Sequence, residues 1–281
     1  MLDKRLVIVS GKGGVGKSAV TSGLALLGQR HGLRILAVEM ESGSGLAAHF
    51  GTGDLAFEPR EVRPGLHAMQ MVRSDALLEY LSLQLRLPGM SRFGAVARAF
   101  DALATAAPAV REIVTIGKIL WEVREDRWDL VVFDAPPTGQ IASYLRAPAS
   151  ISELVTTGRI RGQAEWMAET LRDPALTQLA LVNLAEELPT TETVETLEWG
   201  ESSGVVSEPL VITNRVLEEV SVTEAPEGPI GDMLTLHRSL LDEQRKWLQA
   251  LRPDLTIPYL FGLFTPGEVA AHISDDLEAL A

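Results

Sequence analysis

Short apolar runs alternate along the chain with longer stretches at helical spacing. Leu6-Val7-Ile8-Val9 is unbroken, β-branched and followed by glycines, the pattern of a strand buried on both faces. Ser18 to His31 repeats its apolar residues at helical spacing and stops at Gly32. Leu33 to Val38 predicts a second strand, Leu66 to Met71 alternates like another, and Leu130-Val131-Val132-Phe133 reads as buried. Strands are expected again at 179–184, 209–213 and 256–261, with helices between them. The segment from Gly43 to Asp54 is rich in glycine and serine and is expected to be a mobile loop; Ser221 to Gly228 reads as an exposed one. Helical stretches run from Asp75 to Asp126, broken at Pro88-Gly89 and Pro108, and from about Ile141 to Thr177.

Strands alternating with helices predict an α/β fold, a mostly parallel sheet covered by helices on both faces. We expect one domain over residues 1–281, with an inserted helical lobe built from about 72–126 and 141–177. No internal repeat or low-complexity segment interrupts it.

Charge and composition then narrow the function. With 38 acidic against 25 basic residues the net charge is −13, which repels phosphate backbones and argues against nucleic acid as a partner. No apolar stretch reaches the roughly 20 residues a bilayer demands, and the first strand begins close to Met1, so neither stable membrane insertion nor a leader is expected. Cysteine is absent, which excludes disulfides, thiolate zinc sites, iron–sulfur ligation and thiol capture of a metalloid. A cytoplasmic setting is expected. The five histidines are scattered without paired spacing and are not read as ligands.

Gly11-Lys12-Gly13-Gly14-Val15-Gly16-Lys17-Ser18 fits G-x-x-x-x-G-K-[ST] between a predicted strand and a predicted helix. Small residues let backbone N–H groups close round phosphates, and the helix N-terminus adds its positive end. Lys17 is expected to neutralise the β and γ phosphates and Ser18 to bind Mg²⁺. Asp134 ends a hydrophobic strand, where P-loop enzymes put the acidic residue that helps hold the ion. The chain is thus expected to be a P-loop NTPase that binds ATP and Mg²⁺ and hydrolyses ATP. Ala19 and Gly139 complete the expected nucleotide-contacting set with the loop itself.

Lys12, a second lysine near the start of the loop, resembles the deviant Walker A motif of the MinD/ParA/ArsA group of dimeric ATPases. Asp134-Ala135-Pro136-Pro137-Thr138-Gly139-Gln140, continuing to Tyr144-Leu145-Arg146-Ala147-Pro148, resembles the switch II segment of the ArsA/guided-entry branch. Glu187-Leu188-Pro189 with Thr191-Glu192-Thr193, and Val211-Ile212-Thr213-Asn214-Arg215, are similar to later segments of that branch. The resemblance implies that Lys12 reaches a partner subunit's nucleotide and that Asn214 helps hold the adenine. It also implies a nucleotide-switched dimer, of two copies or with a related ATPase subunit, that handles a client, either an apolar protein segment or a transport partner.

Departures from the family matter as much. Its usual switch I carries an aspartate that orients the attacking water, whereas this chain has Glu41-Ser42-Gly43-Ser44-Gly45. Glu41 is the expected water-positioning residue, and Glu39 is its rival or an anchor for the loop. Gln140 stands where the family usually has histidine. Without cysteine there is neither a thiolate triad for arsenite nor a zinc staple for a dimer. A leucine-rich stretch, Leu77, Leu78, Leu81, Leu83, Leu85 and Leu87, is either a client groove or ordinary packing. A MinD/ParA-like positioning ATPase would need a basic face or basic C-terminal helix, and the segment from Glu268 to Glu278 is acidic. A slow nucleotide-binding scaffold remains the other alternative.

Overall fold

The apolar runs form strands because helices cover both of their faces. In β1 (Leu6–Gly11) every residue is buried, and the two-residue period sends Leu6 and Ile8 into one core, Val7 and Val9 into the other. The computed structural model describes residues 1–40, 45–85, 109–222 and 227–281, with backbone alone for 81–85 and 109–110. Within these residues β1 joins β2 (Ile35–Met40), β3 (Arg60–Arg63), β4 (Leu66–Met71), β5 (Leu130–Asp134), β6 (Thr177–Leu184), β7 (Leu210–Val216) and β8 (Leu255–Pro258). They make one sheet in the order β3-β4-β2-β5-β1-β6-β7-β8. Among the described residues only the β3–β4 edge pair is antiparallel.

On one face, α1 (Lys17–Arg30) packs against β1 and the sheet centre, with Val20, Leu24 and Leu27 fully buried. Beside it lie α2 (Gly45–Phe50) and the C-terminal α9 (Pro266–Asp276). The opposite face carries α3 (Arg73–Leu85), α4 (Ala109–Arg124), α5 (Thr138–Leu154) and α6 (Arg159–Arg172), which pack on one another as a helical layer. Lys118, buried in α4, pairs with Glu79 of α3 at 2.7 Å and Glu122 at 2.8 Å. Tyr80 donates to Gln163 of α6 at 3.1 Å, and Arg73 to the Tyr144 hydroxyl of α5 at 3.2 Å. An apolar cavity of about 250 Å³ opens between these helices, lined among others by Leu77, Tyr80, Trp121, Ile160 and Trp166. The described residues also form α7 (Glu187–Ser203) and the exposed α8 (Pro229–Leu251). Among the described residues no helix is long and apolar enough to cross a membrane.

Three local expectations change. Much of the loop expected over Gly43–Asp54 is helical, because Leu46, Ala47 and Phe50 bury one face of α2 against the α1 core. Strand β3 escaped notice since its residues are polar and largely exposed; ladder bonds to β4 define it. The strand expected to run to Phe261 stops at Pro258, after which one bond from Tyr259 N to Val216 O closes the pairing.

Candidate functional site

Parallel strands deliver their C-terminal ends to one edge of the sheet, and the chemistry-bearing residues collect there. The loop from Gly11 to Gly16 leaves β1 and turns into α1 at Gly16, whose φ of 98° is left-handed. Among the described residues no side chain caps α1, which leaves the first N–H groups of the helix as donors for an anion. Val15 is buried under the loop, Gly13 faces open space, and Ala19 is buried in the first turn of α1. Lys17 Nζ reaches back to the Lys12 carbonyl at 3.4 Å. Burial lowers its pKa, and the nearby Asp134 charge opposes that shift.

Asp134 closes β5 directly across from Ser18. The Ser18 hydroxyl donates to Asp134 Oδ2 at 2.5 Å, while Oδ1 is buried with no hydrogen-bond partner among the described residues. Burial raises the Asp134 pKa, against the Ser18 hydrogen bond and the Lys17 charge. An orphaned carboxylate oxygen beside a hydroxyl fits a hard cation. Among the described residues no cluster of three His, Asp or Glu could hold a metal by itself, so phosphate and water would supply the other ligands, as Mg²⁺ prefers. Beyond Asp134 the chain is tied down by Ser10 Oγ donating to Pro136 O at 2.7 Å and Ala135 N to Val9 O at 2.9 Å.

Lys12 lies on the other flank of the loop. Its ammonium is paired with Glu192 of α7, and the second Glu192 oxygen accepts from Thr138 Oγ1 at 2.8 Å. One carboxylate thus clasps the glycine loop and the first residue of α5. Lys12 and Thr138 both hold the Glu192 pKa below the usual carboxylate range, Lys12 most strongly. The segment Thr191-Glu192-Thr193 carries no local sign of this clasp, because the partners of Glu192 are 180 and 54 residues away.

Glu39 is buried at the end of β2, in register with Asp134. It accepts from Leu46 N at 3.0 Å and Gln70 Nε2 at 3.5 Å, so it anchors the start of α2. Burial raises its pKa, the Leu46 bond opposes, and the Asp134 charge adds to the rise. Glu41 lies outside the described residues. Gly45 follows that gap, and a Cβ there would collide with the Ser18 hydroxyl 2.5 Å away, so only glycine lets α2 come this close. Gly139 and Gln140 are exposed on the first turn of α5. Asn214 is buried at the end of β7, its amide donating to Val15 O at 2.9 Å. Past it, Tyr259 and Phe261 form an exposed aromatic pair with ring centroids 4.8 Å apart.

Comparison with known proteins agrees with this geometry. Residues 4–168 match the family model described as anion-transporting ATPase. The ATPase BagA of Mycobacterium tuberculosis is 33% identical over 244 residues, covering 80% of this chain and 70% of that protein. An ATPase named get3 in Neurospora crassa is 25% identical over 151 residues, or 53% of this chain and 44% of its own. The ATPase ASNA1 homolog 1 of Paramecium tetraurelia is 27% identical over 143 residues, or 50% and 43%.

Proposed function

The chain belongs to the anion-transporting ATPase family, and on that premise we propose that it binds ATP with Mg²⁺ and hydrolyses it to ADP and phosphate. One observation carries the reading: Ser18 and Asp134 meet at hydrogen-bond distance beside Lys17, with a second Asp134 oxygen buried and without a hydrogen-bond partner among the described residues. The N–H groups of the loop and of the first turn of α1 cradle the phosphates, and Lys17 neutralises the β and γ oxygens. Ser18 and Asp134 hold the metal side; the ion supplies charge neutralisation where negative charge develops on the phosphates. Glu41 takes the attacking water, with Glu39 fixing the base of that segment. Lys12 acts on the nucleotide of a second subunit, which is either another copy or a related ATPase.

The client side of the reading rests on the helical layer. Its cavity is walled mainly by leucine, isoleucine and tryptophan, with Glu79, Lys118, Arg124 and Gln163 also in the lining, and such a mostly apolar wall suits an apolar segment of a client protein. Leu77 and Leu78 contribute to α3; the side chains of Leu81, Leu83 and Leu85, and Leu87 itself, lie outside the described residues.

Phosphate release from ATP, followed with and without Mg²⁺, tests the enzymatic core. Wild type should turn over only with the ion, Lys17→Ala should neither bind nor hydrolyse, and Asp134→Asn should lose at least tenfold in rate. Equal turnover by wild type and Asp134→Asn would remove Asp134 from the site.

A further inference from the structure

Asn214 occupies a place where one side chain reaches between two distant parts of the sequence. It stands on β7, two strands from β1, yet its Nδ2 donates to the carbonyl of Val15 inside the glycine loop at 2.9 Å, a separation of 199 residues. Its Oδ1 accepts from Arg215 N, also at 2.9 Å. The two neighbours fix which way the carboxamide faces: a carbonyl can only accept and an N–H can only donate. Asn214 is 5% exposed, so these bonds are largely shielded from solvent.

Two further features are built around the contact. A Cβ on Gly16 would overlap Asn214 Nδ2, and Gly16 sits at a left-handed φ besides, so the loop is open on the side where the amide enters. The chain after Asn214 is pinned from α8: Gln244 Nε2 donates to Arg215 O at 3.1 Å, and Leu217 N donates to Gln244 Oε1 at 2.8 Å.

We propose that Asn214 is a positioning residue of the phosphate-binding loop, holding Val15 and Gly16 in the curve that points their N–H groups at the nucleotide phosphates. This rests on the phosphate-loop reading of Gly11–Ser18. It gives Asn214 a role that does not depend on the base: the loop is braced before any ligand arrives, and every ligand bearing a triphosphate benefits alike.

Binding constants of the full chain for ATP, GTP and inorganic tripolyphosphate, each with Mg²⁺, separate this role from base reading. Asn214→Asp matches the side chain in volume and still accepts from Arg215, but sets an oxygen against the Val15 carbonyl. Asn214→Ala removes both bonds. Each variant should weaken all three ligands by the same factor, roughly tenfold, the scale of one lost net hydrogen bond with a buried carbonyl left unpaired. Amide exchange across residues 13–18 should also quicken in the ligand-free variants, a readout that needs no nucleotide. Loss confined to ATP, with tripolyphosphate unchanged or with Asn214→Asp turned toward GTP, would overturn the proposal. So would unchanged affinities in variants that merely melt at lower temperature. Lys17→Ala is the control: if wild type binds no triphosphate better than Lys17→Ala, the phosphate-loop reading itself fails and the brace falls with it.

Discussion

Lys12 and Glu192 are tested by a double-mutant cycle of Lys12→Met, Glu192→Gln and the pair together. The two side chains are 31% and 35% exposed, so solvent screens them substantially and the pair should be worth about 0.5–1 kcal/mol. For a chain of this size that corresponds to roughly 2–4 °C per kcal/mol in Tm, within reach of urea and thermal denaturation. The coupling should be present in the nucleotide-free protein and fall by at least half when a non-hydrolysable ATP analogue and Mg²⁺ saturate the site, because phosphate oxygens draw Lys12 off the carboxylate. Since Lys12 and Thr138 lower the Glu192 pKa, the contribution of that group is complete above its unfolded value and is lost as pH falls through the lowered folded one. The coupling should therefore vanish in acid. Zero coupling at neutral pH refutes the clasp. Coupling undiminished by the nucleotide analogue refutes its release.

Asp134→Asn should keep the Ser18 hydrogen bond and relieve the burial of a charge, so the ligand-free protein should be as stable as wild type or more so, while Mg²⁺-ATP binding weakens; calorimetry with and without ligand reads both. Glu39 has a raised folded pKa, so between its unfolded and folded values the native state holds more protons and stability drops as pH rises. Glu39→Gln should then melt higher than wild type at neutral pH, with the gain disappearing below the ordinary carboxylate range; a gain that persists in acid contradicts the assignment. Mixing Lys12→Ala with Lys17→Ala rebuilds one intact site per mixed dimer if Lys12 acts across subunits, and phosphate release should recover to as much as roughly a quarter of wild type. No recovery in mixed dimers shown to have formed would place Lys12 in its own subunit's site, unless both sites fire together.

Much of the site could be read from the sequence because its parts are local or sit at predictable ends. Gly11 to Ser18 is contiguous, and Asp134 follows a run of four apolar residues that could only be a buried strand. Nothing in one sequence says which strands are neighbours, however, and the Ser18–Asp134 contact depends on β1 pairing with β5 in a register that sets Val9 beside Asp134. The contacts Glu192–Lys12 and Asn214–Val15 were beyond reach for the same reason, since the partners are 180 and 199 residues apart. The family resemblance gave Asn214 a base contact but not the Val15 bond. The helix at Gly45–Phe50 was hidden by glycine and serine, which speak for a loop; its burial comes from tertiary contacts that local propensity does not encode.

Glu192 and Thr138 also suggest how the phosphate site communicates with the helical layer. Thr138 is both the residue clasped by Glu192 and the first residue of α5, so any shift of the loop after Asp134 would meet that helix at its first turn. Six residues on, Tyr144 is buried in the core and accepts from Arg73 of α3, the helix that lines the apolar cavity. A helix transmits such a displacement along its length because its packed face leaves few intermediate positions. Tyr144→Phe removes the Arg73 bond while keeping the ring, a net loss of about 0.5–1.5 kcal/mol. It should leave ATP binding by the ligand-free chain unchanged but weaken the response of the helical layer, measured as nucleotide-dependent hydrogen exchange in α3. An α3 response as large in Tyr144→Phe as in wild type would show that α5 is not the connection.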